Sequence, residues 1–132
     1  MTDYHREIDI EVSADQAFAF VSNTANLPRF VPTTRKADVE HGHIHVDGVT
    51  GGRPYHDDGQ IYVDANQRVM RWGSGASAYR GELSVSEGGD HMARIAINLH
   101  FRDGDGHVPN AQQIERSLDE SMQRLREELT RH

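Results

Sequence analysis

Apolar and polar residues alternate over residues 4–12. Tyr4, Ile8, Ile10 and Val12 share one face, and His5, Glu7, Asp9 and Glu11 share the other. A period of two over this length predicts a half-buried strand. Ser13 follows, with Gln16 three residues on. That is a capping box, in which the Ser13 hydroxyl accepts from the N3 amide and Gln16 reaches back. Ala17, Phe18, Phe20 and Val21 give the short helix behind it an apolar side. Asn26-Leu27-Pro28 is expected to end this helix, with Phe30 and Val31 on a second short turn before Pro32.

From Arg35 to Arg102 the period stays at two. Six strands are expected, at 36–41, 43–49, 55–64, 68–74, 78–87 and 91–102. They are broken by Gly42, Gly51-Gly52, Asn66, Gly73-Ser74-Gly75 and Gly88-Gly89-Asp90. Spacers this short join antiparallel neighbours. The faces are clearest late in the chain. Leu83 and Val85 oppose Glu82, Ser84 and Ser86, and Ile95, Ile97, Leu99 and Phe101 oppose Arg94, Asn98 and His100. The period then changes. Ile114, Leu118, Met122, Leu125 and Leu129 form one narrow helical stripe, which predicts a helix over 109–131. Glu120 and Arg124, and Glu127 and Arg131, are spaced to pair along its polar side. The stripe is short for a coiled-coil seam, which leaves a homodimer as an open alternative. The apolar face of the meander is its expected target.

The predicted class is α+β: a curved, antiparallel, seven-stranded sheet, two short helices after strand 1, and a long C-terminal helix across the concave face. A helix laid across a curved sheet does not fill the whole concavity, so a ligand cavity is expected between them.

Composition narrows the function classes. A chain of 132 residues is one domain's length. Its formal charge of −7 disfavours nucleic acid and anionic lipid surfaces as partners. It has no cysteine, which removes disulfides, thiolate metal sites and cysteine nucleophiles. No apolar run approaches the roughly 20 residues that cross a bilayer, so no membrane insertion is expected. The first residues are charged, unlike a secretory signal, and a cytoplasmic location is the expectation. Ile, Val, Leu and Phe make up only 27 of 132 residues, so the case for a folded domain rests on the patterning above.

Three stretches carry a resemblance to a known group. Residues 6–32 have the strand, the capped helix and an Asn-Leu-Pro-x-Phe-x-Pro run. Residues 59–101 contain an Arg-x-x-x-Trp strand (Arg68 to Trp72), a Gly-x-Leu-x-Val strand from Gly81 and a final aliphatic strand. Residues 114–129 form a closing helix. Together these resemble the helix-grip fold of the START-like (SRPBCC) superfamily, which includes polyketide cyclases/dehydrases and hydrophobic-ligand carriers. The resemblance implies one START-like domain over 1–132 and specifies no reaction, because a fold hosts many functions. It also implies that Met70, Trp72, Tyr79, Leu83, Val85, Ile95, Ile97 and Leu99 point into the concavity, with Phe30 and Val31 at its mouth and Leu118 and Met122 facing them from the helix. Packing alone would account for the aliphatic members. Trp72 and Tyr79 carry polar handles that a ligand or water could satisfy.

Nine histidines are present. His43 and His45 share a strand face, and imidazoles at i,i+2 can chelate a metal. Ile44 and Val46, however, take the opposite parity and form the natural inward pair, which sends the histidines to solvent. No third ligand is evident nearby in sequence, so no metal and no cofactor are expected. His56, Asp57 and Asp58 could form an acid/base group, because a carboxylate orients an imidazole and raises its pKa. Arg53 could hold an anion. An exposed hairpin explains the same residues. The Asp103-Gly104-Asp105-Gly106 loop lacks a calcium loop's final Glu, since Ile114 holds that position.

The leading expectation is a protein that binds a small hydrophobic or amphipathic molecule. Trp72, Tyr79 and Phe30 would supply contact area, and Arg53 or His56 would orient a polar end. The alternatives are a cyclase/dehydratase-type enzyme working by acid/base chemistry in the same cavity, and a partner-binding protein with a filled core.

Overall fold

Seven antiparallel strands form one sheet in the order β1-β7-β6-β5-β4-β3-β2 in the computed structural model, which describes residues 2–31, 34–50, 53–74, 79–101 and 111–130. The strands are β1 (Thr2–Ile10), β2 (Thr34–Glu40), β3 (His43–Thr50), β4 (Arg53–Asp64), β5 (Val69–Ser74), β6 (Tyr79–Gly89) and β7 (Met92–Phe101). The helices are α1 (Ala14–Val21), α2 (Leu27–Phe30) and α3 (Ala111–Thr130). β2 to β7 form a meander, and β1 closes onto β7.

Local chemistry sets the element ends. Ser13 caps α1, its hydroxyl accepting from the Gln16 amide at 3.1 Å. α1 stops at Val21, before Asn26-Leu27-Pro28. A short 3-10 turn covers Thr24–Asn26, and Leu27-Pro28 then begins α2 instead of ending α1. Proline fits there because the first helical turn leaves its N–H groups unbonded in any case. His41 (φ 52) and Gly42 (φ 79) join β2 to β3 with two left-handed residues, the conformation that a two-residue hairpin turn requires. The Asp64 carboxylate accepts from the Asn66 and Gln67 amides at 3.0 and 3.1 Å and shapes the β4–β5 turn.

One side of the sheet carries the core. Ile10 of β1, Leu83 and Val85 of β6, and Ala93, Ile95 and Ile97 of β7 pack with Phe18 and Val21 of α1 and with the α3 stripe from Ile114 to Leu129. Burying each large aliphatic side chain contributes about 1.5–3 kcal/mol, so this stripe seats α3. Arg6 shares the inner face with Ile8 and pairs opposite Ile97. Its Nε donates to Asp119 of α3 at 2.8 Å, which fixes the helix along β1. Glu120 and Arg124 pair at 2.7 Å as expected, whereas Arg131 lies outside the described residues. Among the described residues, no helix is long and apolar enough to cross a membrane.

Candidate functional site

The inner face is closed at one end and partly open at the other. At the closed end, Leu83, Ile97, Leu118 and Met122 are all buried within the core cluster, where packing accounts for them. Phe30 belongs there too. It was expected at the mouth of a cavity, but it is 2% exposed and its ring centroid lies 6.0 Å from that of Phe20. The early start of α2 turns this ring inward, where it meets Phe20 of α1. Val31 follows it, only partly buried, against the same core.

Towards the open end, Met70 is buried and pairs with Leu83 across β5–β6, whereas Trp72 is only partly buried at the edge of the core. The indole is seated on Gly81, its cross-strand partner: a Cβ at residue 81 would lie 2.2 Å from Trp72 Cε2. Register extends the same face outward. Ile61 pairs with Trp72, Val63 with Met70, and Val39 with Ile44. Val46 and Ile61 are half-buried, and Val39 and Val63 are each 43% exposed. Among the described side chains, this half of the inner face is therefore apolar and incompletely covered. The side chains of Arg53, Asp57 and Tyr79, proposed from the sequence as ligand or acid/base groups, lie outside those described.

His56 and Asp58 need a correction. Both were candidates for acid/base work inside the cavity, but they are exposed on the opposite face of the sheet. Asp58 and His56 alternate with Gly59, which shares the parity of Ile61 and Ile44, and they pair with His45 and Asp47 of β3. A β-strand sends alternate side chains to opposite sides, so neither can reach the side occupied by Trp72.

The outer face instead brings His45, His56, Asp58 and Asp47 together. His45 Nδ1 hydrogen-bonds Asp58 Oδ1. His56 Nε2 lies 3.0 Å from the same oxygen, and His56 Nδ1 lies 2.7 Å from Asp47 Oδ1. The two imidazoles stack 6.3 Å apart with 15° between their planes. One ligand atom from each of His45, His56 and Asp58 lies within 4.8 Å of the others. The hydrogen bond to Asp47, and then the charge of Asp58, hold the His56 imidazole above its ordinary pKa. The hydrogen bond from His45 holds the Asp58 carboxyl below its ordinary value. His43 and His45 are exposed, as the parity of Ile44 predicts. His43 is not part of the group, and both partners of His45 come from β4. A shallow depression beside it is lined by Glu40, His41, His43, His45, Asp58 and Gly59.

Residues 1–130 match the family model described as "Polyketide cyclase / dehydrase and lipid transport". No curated protein matches the chain in sequence. Solved structures share its fold. A START superfamily protein from Mycobacterium smegmatis superposes with a TM-score of 0.83 at 12% identity, over 96% of each chain. The Zhui aromatase/cyclase from Streptomyces sp. R1128 gives 0.78 at 12% identity, over 98% of this chain and 94% of that one. The di-domain ARO/CYC BexL from the BE-7585A biosynthetic pathway gives 0.76 at 21% identity, over 96% of this chain. The present chain spans about half of BexL, 46% of its length.

Proposed function

The chain belongs to the polyketide cyclase / dehydrase and lipid transport family, and we propose that it binds a small hydrophobic or amphipathic molecule on the inner face of its sheet, beside α3. The observation that carries this reading is the uneven cover of that face. α1, α2 and α3 seal the half built on β1, β7 and β6, while Val39, Val46, Ile61, Val63 and Trp72 leave apolar surface part-exposed on the other half. Contiguous apolar surface beside a half-covered aromatic ring is what a ligand of this class would use. In this reading Met70 and Trp72 form the floor. Leu83, Ile97, Leu118 and Met122 form the packed wall behind them.

Family membership supports a ligand-binding or a cyclase role. Binding is the better supported of the two. His56 and Asp58, two of the three residues the enzyme reading offered for proton transfer, face away from this surface. The test uses Trp72, the single tryptophan of the chain, as reporter. A neutral apolar dye such as Nile red should quench or shift its emission saturably with one site per chain. Native mass spectrometry of freshly purified protein should show a retained small molecule or one bound dye. A linear, non-saturating response with no retained mass would overturn the proposal.

A further inference from the structure

We infer that the outer face of the β3–β4 hairpin is a binding site for a zinc-class divalent metal ion, with His45, His56 and Asp58 as ligands and Asp47 as the residue that orients His56. Two imidazoles and a carboxylate are a donor set that first-row ions of this class prefer. The backbone already brings the three together. Antiparallel register sets His45 directly opposite Asp58, and His56 sits two positions before Asp58 on the same face. One ligand atom from each lies within 4.8 Å of the others, near enough for small side-chain rotations to close around one ion. The 3.0 Å between His56 Nε2 and Asp58 Oδ1 is close to the edge of a tetrahedral zinc site, about 3.3 Å for bond lengths near 2 Å.

Asp47 makes this more than a cluster of surface histidines. Its carboxylate occupies Nδ1 of His56 at 2.7 Å, which leaves Nε2 as the free ligand atom and aims it at Asp58. A carboxylate behind a ligating imidazole fixes its tautomer and orientation and increases its basicity. The two rings are near-parallel, 15° apart with centroids separated by 6.3 Å. Three protein ligands leave one position of a tetrahedral ion open, for water or for a group entering from the adjoining depression past His43 and Glu40. The ion would tie β3 to β4 across the ladder. Its binding would compete with protons on both imidazoles, because only the neutral ring ligates.

A His–Asp pair elsewhere on the same face provides the control. His100 Nδ1 lies 2.7 Å from Asp3 Oδ1, and no third ligating residue is grouped with them among the described residues. The experiment titrates zinc, and separately cobalt, into the metal-free full chain by calorimetry and visible absorption. The expected result is one equivalent of zinc, an intense visible cobalt band from a four-coordinate site, and a melting midpoint that rises with zinc. His45→Ala, His56→Ala and Asp58→Asn should each weaken binding at least tenfold, Asp47→Asn by roughly 10–100-fold as an orienting residue would, and His100→Ala should change nothing. Asp58→Asn keeps the shape of the side chain, so it remains decisive if either alanine variant folds poorly. Weak binding at several sites, stoichiometric zinc that survives the His45→Ala/His56→Ala double variant, or equal loss in His100→Ala would overturn the inference.

Discussion

The Trp72 indole lies over Gly81, the residue directly opposite it in the β5–β6 ladder, so closely that a Cβ at residue 81 would fall 2.2, 2.3 and 2.4 Å from three of its atoms. The absence of a side chain at 81 is what seats the ring against the sheet. Gly81→Ala should therefore displace the indole and cost about 1–3 kcal/mol, the usual range for overpacking. In a Trp72→Ala background the same change should cost less than about 0.5 kcal/mol, since nothing remains to be displaced. Denaturant melts of the four proteins in this cycle check the coupling. Additive effects would mean that the glycine serves some other contact.

The α3 stripe makes a simpler claim. Leu125 is fully buried and Leu118 nearly so, both within the shared core. Leu125→Ala should cost about 2–5 kcal/mol. Leu118→Asp should cost several kcal/mol, through a charge buried without a partner. Val39→Ala, on the part-exposed side, should stay within about 0.5 kcal/mol of wild type. Thermal melts that rank Val39→Ala with the helix variants would contradict the uneven cover of the inner face.

Two outer-face pairs joining β1 to β7 should respond oppositely to pH. Arg94 Nε donates to Asp9 at 2.9 Å and holds that carboxyl below its ordinary value. The contribution of this pair is present at neutral pH and above, and is lost as pH falls through and below the ordinary aspartate value of 3.8. His5 hydrogen-bonds Asn98 at 2.6 Å and Glu7 at 3.0 Å, and these bonds raise its pKa above 6.5. Its contribution is present below 6.5 and lost as pH rises through the raised value. NMR titration should show the Asp9 carboxyl moving up in Arg94→Gln and the His5 imidazole moving down in Asn98→Ala. Both pairs are exposed, so the effect on stability is expected to be small.

The sheet was legible because the signals that define it are local. Period two and the glycine breaks place every strand to within about two residues at most boundaries, the stripe from Ile114 to Leu129 places α3, and Ser13 places the start of α1. Leu27-Pro28 misled because proline reads as a stop and is equally at home in a first helical turn. The Arg6–Asp119 contact, 113 residues apart, leaves no local trace. The outer histidine cluster is a middle case. The β3–β4 register sets Thr50 against Arg53, and then Asp47 opposite His56 and His45 opposite Asp58. Counting along both strands from that pair recovers all four residues. Reading β3 and β4 as separate strands leaves His45 without a third ligand and sends His56 to the wrong face.

The strand β4 allows a direct test of which side of the sheet takes the ligand, because Tyr62 and Val63 are neighbours with opposite parity. Tyr62 pairs with Arg71 on the outer face and is 55% exposed, whereas Val63 pairs with Met70 on the inner face and is 43% exposed. The two positions are similarly open, so Tyr62→Glu and Val63→Glu each keep the fold, within about 1 kcal/mol of wild type. Both add one negative charge to a chain already at −7, so any general electrostatic effect is shared. A carboxylate at 63 must be desolvated if an apolar molecule covers it, which costs several kcal/mol on the order of burying an unpaired charge. One at 62 never meets the ligand. Binding of neutral Nile red, followed through Trp72 emission, should therefore weaken at least tenfold in Val63→Glu and stay within twofold of wild type in Tyr62→Glu. The reverse pattern would place the apolar site on the outer face. Equal affinity in all three proteins would move it away from β4, into the packed half beneath α3.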